Sequence, residues 1–88
     1  MKGKYYIISD HVERIPFDER GVYKLQISQG DIRYRIDGED PTQETGEYLR
    51  VGGSIVLDVK GNPIIFRAIR SGNENGILTI ISLDNRDK

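Results

Sequence analysis

The residues best equipped for chemistry lie mostly in one stretch, Arg33-Tyr34-Arg35-Ile36-Asp37-Gly38-Glu39-Asp40, with Arg67 and Arg70 further along the chain. Guanidinium groups interleaved with aromatic rings suit a single-stranded nucleic acid or a glycan, which needs polar contacts for its charged or hydroxyl groups and flat faces for its rings. Arg33, Arg35 and Arg67 are therefore candidate polar ligand contacts, with Tyr5, Tyr6 or Tyr48 as stacking surfaces. The same pattern has a plainer reading. Asp31, Asp37 and Asp58 fall at comparable outward positions, and pairs of opposite charge across strands are the ordinary way to solvate a sheet face.

The remaining reactive groups point to no catalytic apparatus. His11 is the only histidine and there is no cysteine, so neither a usual zinc site nor a nucleophile–histidine pair can be assembled with recognisable spacing. The acids Asp37, Glu39, Asp40, Glu44 and Glu47 lack the alternate-position pattern and terminal glutamate of a calcium loop. They read as a hydrated turn, because aspartate side chains bond to nearby backbone. Glycoside hydrolysis needs two carboxyls facing across a cleft, and a chain of this size has little room for one. Gly52-Gly53-Ser54 has no GxxxxGK[ST] pattern and no following helix to hold a phosphate. No metal, cofactor or enzymatic activity is expected.

The elements that must position these groups are strands. Of the apolar residues, 13 are Ile and 5 Val, against 5 Leu and the single Ala68. β-Branched side chains lose rotamer freedom in helices and pack well on pleated surfaces. Val22-Tyr23-Lys24-Leu25-Gln26-Ile27-Ser28 and Asp31-Ile32-Arg33-Tyr34-Arg35-Ile36-Asp37 both alternate with the two-residue period of a half-buried strand. The Gln29-Gly30 connection between them predicts a tight hairpin. Gly52-Gly53 predicts a second hairpin joining residues 47–51 to 54–59. Further strands are expected at 4–9, 12–17, 64–70 and 77–83. The sum is seven or eight strands in a small antiparallel β-sandwich, jelly-roll-like, formed by residues 1–88 as a single domain. The longest connection, residues 38–46, is polar and expected to be exposed; its Glu39, Asp40, Pro41, Thr42 and Gln43 form a candidate partner-binding loop.

Size and charge bound the partners. The chain has 88 residues, 13 basic and 14 acidic, for a net charge of −1. That balance disfavours binding driven by phosphate neutralisation. The N-terminus lacks the apolar run of a signal peptide, and nothing is long enough to span a membrane, so an intracellular origin is expected. With no disulfides, a lean core of this size supplies only about 3–5 kcal/mol. Ile64-Ile65-Phe66 and Ile77-Leu78-Thr79-Ile80-Ile81 are apolar on both faces. Either a tight barrel or folded-over termini cover the second face, or Ile65, Ile69 and Ile80 lie at the interface of a homo-oligomer.

A family resemblance bears on the choice. The run from Arg33 to Thr42, then Gly46, Tyr48-Leu49, Gly52-Gly53, Ile55-Val56-Leu57 and Ile65-Phe66-Arg67-Ala68-Ile69-Arg70, resembles a pattern of small bacteriophage and prophage β-sandwich proteins of the virion. The likeness covers about Ile32 to Leu83, and the segment before Gly21 falls outside it. It implies a capsid decoration, head-fibre or tail accessory protein that works by assembly, often as a trimer, with other virion structural proteins as partners. It implies localisation in the virion after synthesis in the host cytoplasm, or in the cytoplasm if the chain is not viral. No catalytic residues carry over.

Overall fold

The computed structural model describes residues 3–83. They form eight strands: β1 (Gly3–Ile8), β2 (Glu13–Phe17), β3 (Gly21–Gln29), β4 (Ile32–Arg35), β5 (Glu47–Leu49), β6 (Ser54–Val59), β7 (Ile64–Arg70) and β8 (Gly76–Ser82). Two antiparallel sheets result, one ordered β1-β8-β3-β6 (sheet A) and the other β2-β7-β4-β5 (sheet B). The pairs β1·β8, β2·β7, β3·β6 and β4·β5 have a common origin. They are the rungs of one long antiparallel ribbon whose first four strands pair with the last four in reverse order. Rolling that ribbon adds β3·β8 and β4·β7 and closes the sandwich, which is the jelly roll anticipated from the strand pattern.

The two expected glycine hairpins do not exist as hairpins. β3 and β4 belong to different sheets, and so do β5 and β6, so Gln29-Gly30 and Gly52-Gly53 are crossings from one layer to the other. Glycine supplies a change of direction in both cases, with φ of 71° at Gly30 and 87° at Gly52. It says nothing of whether the flanking strands pair. At the second crossing Gly53 N donates to Arg50 O (2.8 Å), while Gly52 N donates to Ile27 O (2.7 Å) and Ile27 N to Gly53 O (3.0 Å). The turn is thereby stitched to β3. Among the described strands, the only pair adjacent in sequence is β4·β5, whose connection, residues 36–46, is the tip of the ribbon.

Alternation builds the core. Ile8, Leu25, Ile27, Leu57, Val59, Leu78 and Ile80 from sheet A meet Ile15, Phe17, Ile32, Leu49, Phe66 and Ala68 from sheet B. Phe66 is fully buried and stacks on Tyr34 with ring centroids 5.0 Å apart.

Candidate functional site

Outward positions on sheet B carry the arginines. The register sets Arg14 of β2 beside Arg67 of β7, and Arg67 beside Arg35 of β4. Arg33 lies between Ile69 and Tyr48 in the next row. Such a concentration of like charge needs counter-charge, and the chain supplies it from its own ribbon tip. Asp40 accepts from Arg14 Nη2 through Oδ2 and from Arg67 Nη1 through Oδ1, each at 2.8 Å. Asp37 takes Arg35 on both oxygens, with Nε to Oδ1 at 3.1 Å. Arg33 donates to Gln43 O (3.3 Å) and Gly46 O (3.1 Å), and its guanidinium lies 5.0 Å from the centre of the Tyr48 ring.

The proposed ligand contacts and the proposed partner loop therefore meet each other. Arg33, Arg35 and Arg67 are engaged by residues 37–46, and Arg67 Nε is buried without an acceptor. The loop is exposed as expected at Glu39, Asp40, Thr42 and Gln43, whereas Pro41 is fully buried, its Cβ close beside Gly46. Thr42 and Thr45 lock the tip, bonding hydroxyl to hydroxyl at 2.8 Å and backbone to backbone at 3.1 and 3.3 Å. Beside it, Asp31 accepts from the Tyr48 hydroxyl (2.6 Å) and from Val51 N (2.9 Å). Sequence reasoning missed Arg14 as a member of this cluster, because its partner Asp40 lies 26 residues away.

These contacts shift the carboxylates. Arg35 and then the Glu39 amide lower Asp37 from an ordinary value of 3.8 to about 2. Arg67 holds Asp40 low, and the Tyr48 hydroxyl, followed by the Val51 amide, holds Asp31 low. A carboxylate whose pKa is lowered by folding contributes stability that is complete above its unfolded value and disappears as pH falls through its folded value. The melting temperature is thus expected to be flat from pH 7 to 5 and to fall below about pH 4 as these acids protonate. Asp40→Asn should flatten that fall. The change should be modest, because all three acids are solvated. An NMR titration placing the Asp37 midpoint at its ordinary 3.8 would contradict the account.

The three residues proposed for an oligomer interface separate. Ile80 is 8% exposed and belongs to the core, and Ile69 is 8% exposed on sheet B, leaving Ile65, at 42%, alone at the surface. The unpartnered apolar surface is elsewhere. Outward positions on sheet A carry Tyr5 and Ile7 of β1, Ile77, Thr79 and Ile81 of β8, Val22, Lys24 and Gln26 of β3, and Ser54, Val56 and Asp58 of β6. Tyr5, Val56 and Ile7 are 69%, 60% and 51% exposed. Lys24 and Asp58 are the only charged side chains these strands place there, whereas sheet B presents four arginines. The signal was present in sequence as the apolar second face of residues 77–81.

At one end of the sandwich an open cleft of about 510 Å³ is lined by Lys4, Tyr6, Phe17, Glu19, Tyr23 and Ser82, among others. His11 is exposed, with Nδ1 2.9 Å from Asp10 Oδ1. Among the described residues no cluster of His, Cys, Asp or Glu is arranged to hold a metal ion, and no helix is long and apolar enough to cross a membrane. Compared with protein-family models, with curated proteins and with solved structures, the chain finds no match among any of the three.

Proposed function

We propose that this chain is a non-catalytic assembly module that self-associates and docks to a neighbouring structural protein, in the manner of a virion accessory component. The observation that carries the reading is the outer face of sheet A. Single exposed apolar side chains are normal, but a cluster of them on adjoining strands of a small protein, as Tyr5, Ile7, Ile77 and Ile81 form on β1 and β8, marks an interaction surface. The jelly roll adds a rigid scaffold that presents such a face without needing a pocket. The likeness of residues 32–83 to small phage β-sandwich proteins supplies the virion part of the reading. The arginine face favours the same conclusion, because its guanidiniums are engaged within the chain and a glycan or nucleic acid would have to displace Asp37 and Asp40.

Without its natural neighbour, the purified chain is expected to associate through this face at tens of micromolar. Ile7→Glu combined with Ile81→Glu tests it. Ile81 sits directly across from Lys24, so the new carboxylate gains a cross-strand partner worth about 0.2–1 kcal/mol. The fold is retained while the face becomes charged, and the association constant should drop about tenfold or more. Light scattering that gives the monomer mass at every concentration for the unaltered chain would overturn the proposal. Mass spectrometry of particles purified from the producing cells should find the chain in them, and its absence would remove the virion assignment.

A further inference from the structure

The assembly reading brings copies together through the outer face of sheet A, and the sheet edges offer them a second contact. Unpaired edge strands template pairing with other chains, and natural sheets guard them with proline, lysine, bulges or brevity. Three of the four edges here are guarded. β2 carries Pro16, β5 has three residues, and β1 carries Lys4. β6, Ser-Ile-Val-Leu-Asp-Val, has no proline, lysine or glycine, carries Asp58 as its one charge, and keeps an unshifted register with β3 over its whole length.

Its open backbone groups can be assigned. Ile27 N donates to Gly53 O at 3.0 Å, and the antiparallel ladder alternates from there. Ile55, Leu57 and Val59 therefore turn their N–H and C=O groups toward β3, while Ser54, Val56 and Asp58 turn theirs outward. Resting on the assembly reading above, we infer that β6 pairs antiparallel with β6 of a second copy about a two-fold axis at Val56, joining the two A sheets into one.

The strand is self-complementary in that register. Val56 meets its own counterpart as a β-branched pair on the outer face, Ser54 meets Asp58 with a hydroxyl opposite a carboxylate, and Ile55 meets Leu57 on the inner face. Every outward N–H of the three open residues finds a carbonyl. A shift of two residues either way sets Val56 against Asp58 or Ser54 and loses the match. An interface using the same patch on both copies is isologous and closes as a dimer. The result is a continuous eight-stranded sheet that carries Tyr5, Ile7, Ile77 and Ile81 of both copies on one side.

Hydrogen exchange on the unaltered chain tests this without a mutation. The amides of Ser54, Val56 and Asp58 should exchange freely in dilute solution and slow as concentration rises, and the Ile7→Glu, Ile81→Glu variant, with its outer face charged, should still give twice the monomer mass by light scattering. Val56→Lys sets like charges opposite each other at the axis and should weaken the dimer about tenfold or more. Val56→Pro removes an outward N–H that the monomer does not use, and should do the same with the circular dichroism of strands intact. If the chain associates while these three amides stay open, or associates as a trimer, the edge pairing is wrong and the assembly reading survives. A monomer at all concentrations overturns both.

Discussion

Replacing Phe66 by alanine is expected to leave the chain unfolded at room temperature. Phe66 is fully buried, packs face to face on Tyr34 and sits directly across from Ile15 of the neighbouring strand. Truncating a buried phenylalanine to alanine costs about 3–5 kcal/mol, through lost transfer energy and the cavity left behind. A core of this size, with no disulfide, supplies only about 3–5 kcal/mol in all. The loss matches the total. Phe66→Leu keeps most of the volume and should lower the midpoint of urea unfolding while leaving a cooperative transition. The check is circular dichroism of both variants at 25 °C. A folded Phe66→Ala protein would mean that stability comes from elsewhere, with association of copies the first place to look.

The elements were legible because strand residues announce themselves by side-chain type and period. The Ile excess and the alternation of residues 22–28 and 31–37 located β3 and β4, and the run 12–17 contained β2. Pairing was not legible. In a jelly roll the neighbours in sequence usually lie in opposite layers, and the partner of β1 is β8 at the far end of the chain. A glycine turn looks the same from sequence whether its arms pair or part. Only the crossing of sheets decides, and that is a property of the whole ribbon.

The candidate site was half legible for a related reason. Arginines at 33, 35 and 67 stood out by charge, and so did the acids of the ribbon tip. That they neutralise one another follows from where β4 and β7 place the tip, since Asp40 reaches residues 26 and 27 positions away. Burial of Pro41 has the same origin. The apolar face of sheet A shows the converse. Tyr5, Ile7, Val56, Ile77 and Ile81 become one surface only when β1, β8, β3 and β6 are set side by side, so no window of sequence contains it.

Gly30→Ala is the second substitution with a large expected effect, and it separates the observed topology from the hairpin that the sequence suggests. At the tip of an exposed hairpin, alanine would cost only the left-handed conformation, about 1–2 kcal/mol. Here φ is +71°, and an added Cβ would also lie 2.8 Å from Asn75 O and 2.9 Å from the Gly76 Cα. Both are backbone atoms, one at the end of the crossing from β7 to β8 and one at the start of β8. The two crossings lie against each other, so neither can yield alone, and overpacking adds about 1–3 kcal/mol. Gly38→Ala supplies the internal control. Gly38 has φ of +94° and nothing within 4 Å of the added carbon, so it should lose the conformational part only. Urea unfolding should therefore place Gly30→Ala well below Gly38→Ala. Equal losses would mean that Gly30 sits in open solvent, and the rolled ribbon would have to give way to two separate hairpins.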